Sequence, residues 1–433
     1  MAKSLYLMLQ NDPVMEFNFD EQIYRVFDED RMPVRLRGIF KEPEPKDIKT
    51  AMKYYTAMTE YFQSRVLNLD RANAKKILNA FHFSQSQDAV TKTKIAIACK
   101  AVSMTDDYWI KDSDKSLTWE QMNPRKNHLN MIISHVALIG SSLTATGLPH
   151  TPELTGQGAY AKAWIRENDN VYLYKCGNQR DEEKIEIMVS KILDCFDVDH
   201  VSYESGEFEG RSVSKCPDMS TDDYCIVSAE DFYTYCNREG KNFLKETLAI
   251  DGDSFYKTCT VDYLISNSDR HAQNWGFYMD NKTGIIAKLH PLFDHNNAFD
   301  KGDMESKDGG QSLMLQGKSK REAALCAESK HHLRCIKPVT KNMFLTEKQY
   351  YSFMERACEL GLYRKNERNI FDKLKHKEEY SPVKIEAREY SPSIECIVAA
   401  KTKERQEHTS IVDRLENMHE GYTTEHGRED IIR

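Results

Sequence analysis

The 433-residue chain has no apolar run near the ~20 residues that a membrane helix needs; its best candidate, Met131 to Leu143, is short and carries His135 and three serines. A convincing leader is also missing. The opening MAKSLYLMLQNDPVMEF has one lysine and a brief apolar stretch broken by Asn11, Asp12 and Pro13, a poor signal peptide. The expectation is a cytoplasmic protein without membrane attachment. Positive charge is not in excess: 60 Lys and Arg against 68 Asp and Glu leave −8. A protein whose main partner is nucleic acid is usually basic, so no direct nucleic-acid binding is expected. Cysteines are present, but none of the eleven forms C-x-x-C. Reduced thiols are expected in place of a disulfide frame or a zinc ribbon.

What is present suffices for a core. Forty per cent hydrophobic and 10% aromatic residues exclude a wholly disordered chain, and the length suits two domains or one two-lobed domain. Four regions emerge. Residues 1–145 form an N-terminal accessory region with a short strand at Leu5–Leu9, a Pro-rich joint at Lys41–Pro45 and a helix over Asp47–Phe62. They carry no catalytic constellation. Residues 146–235 look β-rich around one strong helix, and 236–375 mainly helical. Residues 376–433 have charge runs, a Tyr380-Ser-Pro and Tyr390-Ser-Pro doublet and no Phe or Trp, the composition of a mobile or peripheral tail.

The first informative segment is Leu154-Thr-Gly-Gln-Gly-Ala-Tyr-Ala-Lys-Ala-Trp164. Gly156, Gly158 and Ala161 fit the G-x-G-x-x-G/A spacing of a dinucleotide site, a weak match by itself. That reading needs a helix next. The chain continues instead as AKAWIR, Glu167-Asn-Asp-Asn170 and VYLYK, two alternating runs around a turn, which is a β-hairpin. A glycine-rich turn of Gly156, Gln157 and Gly158 feeding a hairpin can cover nucleotide phosphates as a kinase lobe does, because glycine lets backbone N–H groups come close. The plainer reading is an ordinary turn.

The second strand ends at Lys175, which alternation places on one face with Val171 and Leu173. Such a lysine is often a rim residue with a packed stem. Its special reading needs an acidic partner from a following helix. Glu182–Phe196 supplies one, with Ile185, Met188, Val189, Ile192 and Phe196 at helical spacing. Glu186 lies at the edge of that stripe and could hold the Lys175 ammonium against two phosphates of ATP. Glu182 and Glu183 are rivals, but sit where a helix-dipole role is the simpler account.

The chemistry concentrates in Tyr263-Leu-Ile-Ser-Asn-Ser-Asp-Arg-His-Ala-Gln-Asn274. An apolar helical stretch, Phe255 to Ile265, runs into a polar loop with Asp269 and, five residues on, Asn274. A hairpin, Trp275–Asp280 and Ile285–Leu289, then returns the chain to His290-Pro-Leu-Phe-Asp294. Asn274 opens that hairpin and Asp294 lies just past its close, so both reach one point. Phosphoryl transfer needs this set: Asp269 to orient the hydroxyl and take its proton, Asn274 and Asp294 to hold Mg²⁺, and a lysine and glycine-rich turn for the triphosphate. Asp-x-x-x-x-Asn alone is common in loops, where it caps turns. The ordered set of Gly turn, Lys175, Glu186, Asp269, Asn274 and Asp294 is much rarer.

At these residues the chain resembles the HipA-like serine/threonine kinases of bacteria. Their catalytic loop reads Asp-Arg-His-x-x-Asn, matched by Asp269 to Asn274, and their metal motif matches Pro291-Leu-Phe-Asp294. The resemblance spans about residues 150–370. The glycine turn departs from the family's Gly-x-Gln-x-Lys form, with Lys162 further on. Ser103–Trp109 and Pro33–Gly38 look like segments ahead of the kinase core in one branch of the family. The resemblance implies an α+β, two-lobed protein kinase-like fold with a β-rich N-lobe and a mainly helical C-lobe. It also implies transfer from Mg-ATP to Ser or Thr of a protein and, for toxin members, a small DNA-binding antitoxin partner. The alternatives are a small-molecule or lipid kinase and a non-catalytic nucleotide-binding regulator.

Other clusters read more plainly. His271, His290 and His295 lie near the two aspartates, but no H-E-x-x-H spacing supports a metal hydrolase. His331-His332 reads as a solvated loop, and Trp109 and Trp119 as anchors of the N-terminal core. Asp300–Ala324 reads as a long solvated loop with few core candidates, in which Ser306, Ser312 and Ser319 are candidate phosphoacceptors.

Overall fold

The expected first strand, β1 (Leu5–Leu9), pairs antiparallel with β2 (Asp12–Asn18) and β4 (Tyr108–Asp112), and β3 (Ile23–Val26) completes a sheet of order β3-β2-β1-β4. The structure is a computed structural model and describes residues 4–147, 150–156, 158–177, 180–331, 333–364 and 381–382. The tail reading falls outside the described residues, apart from Ser381–Pro382. Between β3 and β4 run α1 (Ile48–Gln63), α2 (Ala74–Ala80) and α3 (Ala89–Ala98). Asp47 starts α1 by accepting from the Thr50 N–H at 2.9 Å, the capping role that favours Asp at this position. After β4 come α4 (Trp119–Met122) and α5 (Met131–Ile139). Trp109 and Trp119 pack with Met8, Val102 and Met122 in a small cluster.

The second sheet has the order β5-β6-β8-β7, from β5 (Lys162–Glu167), β6 (Asn170–Cys176), β7 (Glu204–Phe208) and β8 (Arg211–Pro217). A two-residue loop, Asn168-Asp169, joins β5 to β6. Asn168 takes φ +54°, the left-handed geometry that Asn tolerates and that tight hairpins need. The helix α6 (Glu182–Leu193) follows β6. Its buried Ile185, Met188, Val189 and Ile192 join a cluster with Leu264 and Phe353, each worth roughly 1.5–3 kcal/mol when fully buried.

The third sheet, β11-β10-β9, comprises β9 (Tyr224–Ser228), β10 (Gly276–Asp280) and β11 (Ile286–Leu289). Between β9 and β10 lie α7 (Ala229–Arg238) and α8 (Phe243–Leu264), the latter kinked at Asp251. The turn between β10 and β11 needs Gly284: its φ is +68°, and a Cβ there would stand 1.8 Å from the Asp30 carbonyl oxygen. Arg37 donates to the Gly284 carbonyl at 3.1 Å and Arg31 to that of Asn281 at 2.9 Å. The N-terminal region therefore clasps this turn. The main core runs from Leu7 and Phe17 through Ala163, Cys225 and Phe277 to Ala327, so residues before 145 share it with the two later sheets.

Beyond β11 the chain forms α9 (Lys301–Glu305), α10 (Lys320–Glu328) and α11 (Glu347–Glu359). The solvated-loop reading of 300–324 is corrected here. Met314 and Leu315 are buried in the main core, and the Ser319 hydroxyl caps α10 in a box with Glu322. His331 is likewise not free in solvent: its Nδ1 lies 3.0 Å from Asp253 and its ring stacks on Tyr256. The whole is a mixed α and β fold with antiparallel sheets. No described helix is long and apolar enough to cross a membrane.

Candidate active site

Lys175 near the end of β6 stands opposite Lys162 of β5 and Ser214 of β8. Its Nζ donates to Glu186 Oε1 at 2.6 Å and to Asp294 Oδ1 at 2.9 Å, and lies 5.2 Å from the centre of the Tyr203 ring. Glu186 faces the sheet from the edge of the α6 stripe and is 1% exposed; its second oxygen accepts from the Ser214 hydroxyl at 2.7 Å. Burial opposes the ammonium, but Asp294 and Glu186 outweigh it and hold Lys175 well above the ordinary lysine range. Burial pushes Glu186 up against the pull of Lys175. Asp294 goes the other way: burial raises it, yet Lys175 and Lys162 bring it down to about 2. Lys175 and Glu186 form a buried pair, which is costly to break, about 3–5 kcal/mol when one partner is removed.

The Asp269 loop is built around Arg270, which is 1% exposed. Its guanidinium pairs with Asp262 at 3.1 Å, donates to the carbonyls of Asn274 at 2.8 Å and Phe293 at 2.9 Å, and reaches His295 Nδ1 at 3.2 Å. One side chain thus ties the end of α8, the loop and the segment before Asp294. The planar fork of arginine suits several fixed acceptors at once. Asp294 takes φ +58°, a left-handed geometry costing roughly 1–2 kcal/mol, and the Arg270 bond to Phe293 holds the preceding peptide.

Asn274 donates from Nδ2 to the Asp269 carbonyl at 2.8 Å. Asp269 itself is open to the cavity, with 39% of its side chain exposed. Asn297 donates to Asp269 Oδ2 at 2.9 Å, and Tyr160 donates to Asn297 Oδ1 at 3.3 Å. Neither residue stood out in the sequence. Asn297 lies three positions after Asp294, the one signal that could have marked it; Tyr160 lies two positions past Gly158 of the glycine-rich turn.

In that turn Gly158 has φ +97°, a conformation natural to glycine. Gln157 lies outside the described residues. A Cβ on Gly156 would meet Arg71 Nη1 at 2.8 Å. Lys162 is half-buried on the same face as Lys175. Burial lowers it to about 8, aided by the charges of Arg71 and Lys175 and opposed by Asp294.

A cavity of about 510 Å³ gathers Gly156, Gly158, Lys175, Asp269, Asn274 and Asp294 on its wall. Glu186 is not on that wall and reaches the cavity through Lys175. The N-terminal region contributes Arg35, Tyr61, Arg65 and Arg71 to the lining. No cluster of three or more His, Cys, Asp or Glu suited to a metal occurs among the described residues. Asn274 and Asp294 both line the cavity, and an amide oxygen with a carboxylate is a donor pair of the kind that could hold Mg²⁺, an ion that takes few protein oxygens and completes its shell with phosphates and water. His295 is fully buried behind the site, and His290, 5% exposed, lines the cavity. Burial lowers His290 to about 4 and His295 well below the usual imidazole range.

No family model matches the chain, and neither does any curated protein. Among solved structures it is similar to the Helicobacter pylori proinflammatory kinase CtkA, at 15% identity and TM-score 0.37, over 47% of this chain and 90% of that one. It is also similar to a chain of the Shewanella oneidensis MR-1 toxin–antitoxin complex of HipA, HipB and operator DNA. There the identity is 12% and the TM-score 0.46, over 82% of this chain and 97% of that one.

Proposed function

We propose that the protein is a two-lobed, HipA-like kinase that transfers the γ-phosphoryl group of Mg-ATP to Ser or Thr of a protein. In this reading residues 146–235 are the N-lobe, 236–375 the C-lobe and 1–145 an added region. The observation that carries it is the Lys175 ammonium, held by Glu186 and Asp294 together, in one cavity with Asp269 and Asn274. A structural ion pair needs no such company.

Glu186 fixes Lys175, which places its charge on the phosphates, and the glycine-rich turn covers them. Asn274 Oδ1 and Asp294 would hold Mg²⁺. When bound, the ion neutralises charge that builds on the transferring group. Asp269, held through Oδ2 by Asn297, presents its other oxygen to the acceptor hydroxyl and takes its proton. The protein acceptor and a small DNA-binding antitoxin partner are taken from the motif resemblance. The test is incubation with γ-labelled ATP and Mg²⁺, alone and with cell lysate. Label entering protein Ser or Thr supports the reading; label confined to lipid or small molecules moves the acceptor class, and an absence of both ATP binding and label overturns it.

A further inference from the structure

The segment 67–72 of the N-terminal region is bonded to the chain on both sides of the glycine-rich turn. Leu67 N–H donates to the Leu154 carbonyl at 2.8 Å and Ala72 N–H to that of Ala159 at 2.8 Å. Between them Arg71 donates from Nη1 to the carbonyls of Glu153 at 2.7 Å and Gly156 at 3.1 Å, and from Nη2 to that of Lys162 at 2.7 Å. One guanidinium therefore spans the start of the turn, its middle and the first residue of β5. Arg71 is 4% exposed and lines the cavity, and its buried Nε has no hydrogen-bond partner among the described residues. The absent Cβ of Gly156 makes room for it.

The charge is poorly matched. The carbonyl partners are neutral, and burial brings Arg71 down to about 10, with Glu153 only partly opposing. Lys162, beside it, is brought down as well, and the Arg71 charge is among the causes. A buried arginine bonded to neutral carbonyls, next to a lysine that it repels, is an electrostatic arrangement completed by an anion.

We propose that Arg71 makes the N-terminal region part of the nucleotide site: it holds the glycine-rich turn in its phosphate-accepting form and, with Lys162, supplies charge that the phosphates of a nucleoside di- or triphosphate complete. The inference rests on the nucleotide reading of this cavity. Arg71 is a positioning residue, because it acts on phosphate mainly through the turn.

Calorimetric titration of the full chain with ATP, ADP, AMP and adenosine, in Mg²⁺, separates the possibilities. In the wild type, affinity should rise with the number of phosphates. In Arg71→Met the gain from the second and third phosphates should fall about 10-fold or more, the scale of charge-assisted hydrogen bonds, with adenosine unchanged. Equal ATP affinity in both proteins, or equal loss of ATP and adenosine in a folded variant, overturns the inference. Should Arg71→Met fail to fold, Arg71→Lys keeps the charge but cannot span three carbonyls; it should lose part of the ATP gain and none of the adenosine affinity, and wild-type ATP binding there overturns the inference. A wild type that binds none of the four ligands overturns the nucleotide reading itself, and the inference with it.

Discussion

Asn297 donates from Nδ2 to Asp269 Oδ2 over 2.9 Å, joining two residues 28 positions apart. The bond occupies Oδ2, while Oδ1 lies 3.8 Å from His271 Nε2. Hydrogen bonds to charged groups are worth about 1.5–3 kcal/mol, so Asn297→Ala should slow phosphoryl transfer about 10- to 100-fold. ATP affinity should change far less than turnover, because Asn297 bonds Asp269 directly and meets the glycine-rich segment only through the longer Tyr160 bond. A parallel rise in the ATP dissociation constant would place Asn297 in the nucleotide site instead.

Asp269→Asn keeps the side-chain shape and removes the proton acceptor. ATP should still bind while transfer of label falls by about 10²-fold or more. Loss of ATP binding as complete as the loss of turnover would mean that Asp269 is a nucleotide or metal ligand.

The hairpin of β5 and β6 and the helix α6 were legible because their signals are local. Strict alternation marks a strand, and apolar residues from Ile185 to Ile192 mark one helix face. The reach of Lys175 to Glu186 came from a strand near its end and a helix edge meeting on one sheet. Arg71 lies 85 positions from Gly156, and an arginine bound to backbone carbonyls leaves no pattern at its partners. Arg270 was visible inside a motif, but its bonds to Asn274 and Phe293 depend on the folding back of β10 and β11. Met314 and Leu315 escaped because the three consecutive apolar residues Leu313–Leu315 among Gly, Gln, Ser and Lys carry no period; a turn through Gly309 and Gly310, at φ +68° and +77°, precedes them.

Asp294→Ala removes the carboxylate of the proposed metal pair and one of two anchors on Lys175. The Glu186 bond remains, so the protein should fold. Mg²⁺-dependent transfer should be abolished, since no other carboxylate on the cavity wall is as near Lys175. Side-by-side transfer assays over a Mg²⁺ titration decide it: equal turnover in the two proteins would falsify the metal assignment.

Lys162 gives the site a pH dependence of defined sign. Its folded value, about 8, lies below the ordinary 10.5 because burial disfavours the ammonium. For the free protein this is a penalty on stability that is complete below pH 8 and disappears as pH rises from 8 to 10.5. Phosphates favour the charged form, so ATP should bind best below pH 8 and take up a proton near it. Above pH 8 the affinity should fall by up to about tenfold per unit until the bound-state value is reached. Three neighbouring groups lie higher: Lys175 and Tyr203 are both held well above their ordinary values, and Cys216 is pushed up to about 12; Arg71, at about 10, begins to titrate only at the top of this range. Titrations between pH 7 and 9.5 should show the fall in the wild type and a flat profile, at weaker affinity, in Lys162→Met. An equal fall in both proteins would assign the proton to another group and remove Lys162 from the phosphates.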